Sequence, residues 1–513
     1  MNLGLLSKME LEDLLRFGHK VLRFIQNSDR SKAFLYFLTL LFGFYVFYWA
    51  LLVFFGPTGA RERVKHVSLF DAIHIDPGKP KTPHVWILLG AHKDIRDVSF
   101  GCYSTNRNGD IWKSYVGIEK LHGATSLQCL WTVYRARCVV VEDMTEFAIS
   151  DGHLDAQLHG IKIPYRIPDR QRRHVVVCQS RFFMYDKWQL LFTILELYRY
   201  YGADLIAVYV ESIIAEAYNI LKAYQEQGIV AIHTAARFGQ FADLEYDPNQ
   251  ELEYNQQVST YHLCLYEYRE TTDFIIFGDW DEVLVPRNAT NLHEELSIIL
   301  DEFPNTAAFY FQRLTVSSFL PKQASFFDLA NVLNTAKAEH KFGTPKVVTV
   351  GDRVESLGIH KIEWAKPGTH DVTLTTEYSP FLHFREGDKR TWDHEVDFPF
   401  VFELFPMLNT SELGTNFRTF IDYEGLYHNY MNLPSKLIYT DMFHACHSNL
   451  ASALDHPELG GCPNHFACVQ PVPESGIPCV KLDIQFQKVL LREGVVMSYP
   501  KRTSLVIKAD GCQ

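Results

Sequence analysis

In the stretch DFIIFGDWDEVLVPR, four apolar residues, Phe274 to Phe277, run into Asp279-Trp280-Asp281-Glu282, and an apolar run resumes at Val283. Three carboxylates at the exit of a buried strand need something that uses negative charge. Asp279 and Asp281 lie two positions apart, so where the chain turns out of its pleat both can approach one ligand. Paired hard oxygens suit Mg²⁺ or Mn²⁺, which in turn neutralises a diphosphate. The same letters fit a second chemistry. Phosphatases of the haloacid dehalogenase type place D-x-D-x-[TV] after an apolar strand, with the first Asp a covalent nucleophile and the second a general acid. Asp279-Trp-Asp281-Glu-Val283 has that spacing, and Asp388 and Asp393 stand downstream as the further acidic pair.

The elements that must carry this cluster are legible upstream. HVVVCQS (174–180) reads as a buried strand, and Trp188, Leu191, Leu195 and Tyr198 recur at helical spacing before Gly202. LIAVYVES (205–212) is a second strand, followed by a helix with Ile213, Ala217, Ile220 and Tyr224 on one face and closed by Gly228. IVAIHTA (229–235) is a third strand, and a helix over 251–270 feeds the strand FIIFG. This alternation predicts an α/β fold with a mostly parallel sheet covered on both faces. Ligands of such sheets sit outside the carboxyl ends of the strands, where the acidic cluster falls.

Before that body, residues 33–55 (AFLYFLTLLFGFYVFYWALLVFF) carry no charge and span roughly 35 Å as a helix, enough to cross a bilayer. Arg16, Lys20, Arg23, Arg30 and Lys32 precede it, against Arg61, Arg63 and Lys65 after it, which orients the N-terminus to the cytosol. All ten cysteines, Cys102 to Cys512, follow the span, as do two N-x-S/T sequons at Asn288 and Asn409. Both fit an oxidising lumen. The expected organisation is a cytosolic tail (1–32), a transmembrane helix (33–55), a Gly- and Pro-rich stem (56–83), a β-rich accessory region (84–170) and the α/β domain (171–430). A cysteine-containing extension (431–513) completes it. Cys102, Cys129 and Cys138 are expected to brace the accessory region. A net charge of −12 argues against general nucleic-acid binding, which needs a basic face to displace counterions.

The run VVVCQSRFFMYDKWQLLFTILELYRYYGADLIAVYVES resembles the opening of the family 92 glycosyltransferases, a group expanded in nematodes. The resemblance continues through YHLCLYEYRETTDFIIFGDWDE, GIHKIEW (358–364) and FLHFREGDKRTW (381–392), over residues 173 to 430. Leu263 departs from the Asp often found before the helix cysteine, and Phe384 from the usual His-Tyr-Arg. The resemblance implies a GT-A fold, a Rossmann-like nucleotide-sugar domain, and an inverting transfer to a glycan acceptor, with UDP-galactose the first expectation for the donor. It implies a type II, Golgi-resident protein with a lumenal catalytic domain. Asp279, Asp281 and the downstream His383 would then hold Mn²⁺ (or Mg²⁺), with Arg385, Lys389 and Arg390 toward the leaving diphosphate. Ser180 and Arg181, after the first strand, are candidate nucleotide contacts.

The general base stays open among Glu355, Glu363, Glu386 and several Asp. Glu282 is expected to orient the site, Glu196 to make a structural hydrogen bond, and His360 to be structural or acceptor-facing. FHACHS and GGCPNHFAC bring His444, Cys446, His447, Cys462, His465 and Cys468 close in sequence. They admit a zinc site, but disulfides are expected in a lumen. The readings that compete with the transferase are the phosphatase above and an inactive lumenal glycan-binding homologue.

Overall fold

A computed structural model describes residues 65–386, apart from 79–80, 96–97, 122–127, 253–255 and 376. It also describes 404–446 and 476–513 except 406, 424, 445 and 493, together with Cys462 and Asn464. The chain divides into two units, 1–64 and 65–513. The expected tail and membrane span lie outside the described residues, and among the described residues no helix is long and apolar enough to cross a membrane.

The strand Arg173–Gln179 (β1) is followed by the helix Trp188–Tyr200 (α1), then Leu205–Val210 (β2), Ala215–Glu226 (α2) and Val230–Thr234 (β3). Next come the helix Gln257–Tyr268 (α3) and the strand Thr272–Gly278 (β4). β1, β2, β3 and β4 are mutually parallel, in the order β3-β2-β1-β4. The sheet continues through Glu282–Leu284 (β5), Thr306–Ser318 (β6), Lys337–Val350 (β7) and Phe381–Glu386 (β8), in the order β4-β7-β6-β8-β5, with every neighbouring pair antiparallel except β6 and β8, which are parallel. A ninth strand, His370–Thr373, pairs with β6.

Val175 to Cys178 have no solvent exposure, as a strand covered on both faces requires. Val175 and Val177 pack with α1 and α2 on one side. Val176 and Cys178 pack with α3 on the other. A disulfide, Cys178–Cys264, ties β1 to α3. The expected helix over 251–270 begins later, at Gln257, after a 3₁₀ turn at Pro248–Glu251. Ile213, expected on a helix face, lies instead in a short strand, Ser212–Ile214, that leaves the sheet to join a second one.

That second sheet has seven strands in the order Ser212–Ile214, Cys479–Arg492, Val495–Lys508, Lys65–Ile75, His84–His92, Trp131–Val139 and Glu119–Lys120. A four-stranded sheet, containing Ser99–Asn106 and Met144–Asp151, packs with it around Phe100, Phe147, Leu89 and Met497. The expected stem is therefore too long. Lys65–Ile75 is a strand of eleven residues, nine of them buried, paired with His84–His92 on one side and Val495–Lys508 on the other. The accessory region is also not self-contained, because the hairpin 479–508 from the far end of the chain supplies two strands of its sheet. Trp86 stacks on Tyr266 of α3 with centroids 5.0 Å apart, so accessory sheet and α/β body share one apolar layer.

Cys102–Cys138 braces the accessory strands as expected, but Cys129 bonds Cys462, 333 residues away. Cys479–Cys512 closes the C-terminal hairpin, and Cys446 is also disulfide-bonded. The zinc reading of the C-terminal cluster is thereby corrected. Cys446 and Cys462 are bonded to other sulfurs and have no thiolate to offer a metal. His447, His465 and Cys468 lie outside the described residues.

Candidate active site

β4 ends at Gly278, and the acidic motif makes a tight turn just beyond it. The Glu282 backbone N–H donates to the Asp279 carbonyl at 2.9 Å, and the Asp279 N–H donates to Glu282 Oε2 at 3.0 Å. Trp280 points inward, stacked on Phe182 with centroids 4.4 Å apart, and its indole N–H donates to the Ser180 carbonyl at 2.6 Å. With Trp280 as the inward anchor, its neighbours turn to the surface. The side chains of Asp279 and Asp281 are 31% and 33% exposed, whereas Glu282 is fully buried.

β5 then pairs antiparallel with β8, placing Glu282 opposite His383. His383 Nε2 lies 3.4 Å from Asp281 Oδ2. Beneath them is a buried charge network. Lys346 of β7, without solvent exposure, donates to Asp279 Oδ2 at 2.6 Å and pairs with Glu282 Oε2 at 3.0 Å. Arg313 of β6 holds the other Glu282 oxygen at 3.0 Å. Gly343, opposite Arg313 in register, leaves room for the guanidinium that any side chain there would displace. Gln257 of α3 donates to Asp279 Oδ1 at 2.5 Å and to the Tyr261 hydroxyl at 2.9 Å.

Burial alone would raise both aspartates. Lys346 outweighs it at Asp279, and His383, aided by Lys187 and Lys346, outweighs it at Asp281, so both carboxyls stay below their ordinary range. Burial opposes the charge of Lys346, but Asp279 and Glu282 raise its ammonium well above the usual value. Three carboxylates thus face two permanent cations, Lys346 and Arg313. Asp281 meets His383 on the exposed side of this network.

The sequence profile of glycosyltransferase family 92 matches residues 173–419, which span β1 through β8 and reach into the helix Thr410–Tyr423. Residues 173–419 belong to glycosyltransferase family 92. Among curated proteins, the chain is 31% identical to the Caenorhabditis elegans glycosyltransferase family 92 protein F59C6.8, over 50% of this chain and 49% of that one. It is 24% identical to the family 92 protein F13G3.3 of the same organism, over 50% of each. The matches thus span about half the length of these curated relatives. Among solved structures, UDP-glucose pyrophosphorylase complexed with UDP-glucose matches at a TM-score of 0.16 and 5% identity, over 42% of this chain and 92% of that one, too low to assign a fold.

Within the family 92 region, one ligand atom each from Asp281, Glu282 and His383 lies within 4.8 Å of the others. Carboxylate oxygen with imidazole nitrogen suits Mn²⁺ or Mg²⁺. Glu282 already has a cation on each oxygen, so the ligands left to a metal are Asp281 and His383. Asp279 was expected as an equal ligand. The structure places it beside Asp281 but turns its two oxygens to Lys346 and Gln257. Arg385 is exposed and two residues beyond His383, hence on the same face of β8.

The nucleotide contacts expected after β1 are placed differently. Ser180 uses its backbone to hold Gly278 and Trp280. Arg181 is buried: its guanidinium pairs with Glu211 and donates to the Ala236 carbonyl at 3.2 Å. Glu196 is buried and accepts from the Tyr224 hydroxyl at 2.5 Å, a structural bond. His360 bonds the Pro345 carbonyl at 3.1 Å, and burial with Lys346 pushes it down to about 4, so a neutral imidazole sits near Asp279. Glu363 Oε2 lies 3.4 Å from the Ser356 hydroxyl. Lys389, Arg390, Asp388 and Asp393 lie outside the described residues.

Lys346, Arg313, Gln257 and Lys187 were missed in the sequence. Lys346 carried the one usable signal, a charge set directly against the apolar run Val347-Val348. A lysine in such a strand needs a buried anion as partner.

Proposed function

We propose that the chain is a GT-A glycosyltransferase that moves a sugar from a UDP-sugar, galactose first, to a glycan acceptor with inversion, using Mn²⁺ or Mg²⁺. The observation that carries the reading is the pairing of Asp281 with His383 at the carboxyl end of a parallel sheet, inside a family 92 region. A metal bound there supplies positive charge against the donor diphosphate as the leaving group departs. The chain's own residues do the rest. Trp280 fixes the turn that presents Asp281, and the Glu282–Lys346–Arg313 network holds that turn rigid from below. Arg385, two residues beyond His383 on β8, would meet phosphate oxygens of the donor. Inversion requires a carboxylate to take the acceptor proton, and that base stays open among Glu355, Glu363, Glu386 and several Asp.

Paired cysteines and exposed sequon asparagines at 288 and 409 support a lumenal, secretory-pathway body, type II and in the Golgi. The deciding experiment incubates the purified protein with a panel of UDP-sugars, glycan acceptors and Mn²⁺. Sugar transfer that chelation abolishes supports the reading. An acid-labile phosphoenzyme at Asp279 without transfer overturns it in favour of a phosphatase.

A further inference from the structure

At the opposite end of the same sheet lies a second cluster of metal-ligating side chains, formed by His174, Asp273 and His293. We propose that these three residues bind a divalent metal of the zinc class. Each comes from a different element: His174 from the start of β1, Asp273 from the start of β4, and His293 from the first turn of the helix Leu292–Glu302. Asp273 Oδ2 lies 2.8 Å from His174 Nδ1 and 3.6 Å from His293 Nε2, and the two imidazole centroids are 4.1 Å apart. One ligand atom from each residue falls within 4.8 Å of the others.

Two imidazole nitrogens and one carboxylate oxygen form a three-ligand zinc set that leaves one coordination position open. The surroundings orient it. Arg172 pairs with the other Asp273 oxygen, as outer partners of ligating carboxylates do. Asp204 Oδ2 accepts from the backbone N–H groups of His174 at 2.7 Å and Val175 at 2.8 Å, fixing the start of β1. A cavity of about 460 Å³ bordered by Asp273, His293, Arg172 and Arg353 opens the cluster to solvent.

The site is separate from the acidic motif, because Asp273 and Asp279 lie at opposite ends of β4, roughly 20 Å apart at strand rise. Its effect would be structural. The segment from Asp273 to His293 contains the whole acidic motif, and both its ends meet at this cluster. A metal here closes that segment into a loop anchored on β1.

The test uses full-length protein stripped with chelator and re-equilibrated with zinc alone. Metal content is read by plasma mass spectrometry and stability by thermal scanning. Wild type should hold one more zinc per chain than His174→Ala or Asp273→Asn, and should lose a few degrees of midpoint when stripped. The same one-zinc difference should persist in an Asp281→Asn background, which separates it from metal held near His383. Equal zinc content in wild type and His174→Ala, with equal midpoints, overturns the proposal. His174 is 59% exposed, so His174→Ala remains decisive if His293→Ala does not fold.

Discussion

Lys346→Met removes the charge on which the acidic turn rests while keeping most of the side-chain volume. The lysine is fully buried, with Asp279 Oδ2 at 2.6 Å and Glu282 Oε2 at 3.0 Å. Breaking a buried pair from one side costs about 3–5 kcal/mol, because the partner charge stays behind uncompensated. Two features moderate this. Glu282 keeps Arg313 on its other oxygen, and Asp279, nearly a third exposed, can be hydrated in place. The lower part of the range, about 3–4 kcal/mol, is therefore expected, or roughly 3–5 °C of midpoint for a body of this size. The sign with pH is also set. Without Lys346 the folded-state pKa of Glu282 rises further above its unfolded value. The variant should then lose stability as pH rises, with its deficit smallest near the ordinary glutamate value of 4.5 and growing toward neutral pH. Calorimetric scans of both proteins from pH 4.5 to 8 measure this. A variant as stable as wild type at pH 7.5 refutes the charge argument. A deficit that does not change with pH assigns the loss to packing instead.

Asp281→Asn should reduce sugar transfer by about 10²–10³-fold, since one oxygen–metal contact is worth a few kcal/mol of transition-state stabilisation. It should also abolish Mn²⁺-dependent protection by UDP while leaving thermal stability near wild type; normal transfer at normal Mn²⁺ removes Asp281 from the mechanism. His383→Ala should act in the same direction less severely, and an unfolded His383→Ala would make the histidine a core residue. Buried His262 donates from Nδ1 to the Val258 carbonyl at 2.8 Å, and burial pushes it down to about 4. Its contribution is present above pH 6.5 and lost as pH falls toward 4, up to about 3 kcal/mol, and His262→Gln should flatten that acid limb in pH-dependent denaturant melts. Asn288 and Asn409 should carry N-glycans, so endoglycosidase treatment of cell-derived protein should shift its mobility; an unshifted band with a body open to cytosolic protease would overturn the lumenal assignment.

Much of this protein was determined locally. The apolar run Val175 to Cys178, set between turn signals, reads as a strand buried on both faces, and the helical spacing of Trp188, Leu191 and Leu195 reads as a helix, which the fold buries from Trp188 to Tyr198 on every side. From these the parallel sheet, and the acidic motif at its carboxyl end, followed without coordinates. His383 was reachable as well, but only through resemblance, since no local signal links positions a hundred residues apart. The tertiary structure decided what depends on pairing across the chain. Lys65–Ile75 looked like a continuation of its Gly- and Pro-rich flanks until the hairpin 479–508 gave it a partner. Cys129 was expected to brace a local region and instead bonds Cys462. Lys346 and Arg313 became part of the site because β7 is laid beside β4 and β6 beside β7, which brings their charges under Asp279 and Glu282. Apolar burial is read from a residue's own neighbours in sequence, but a charge takes its meaning from the opposite charge it meets, and the fold alone chooses that.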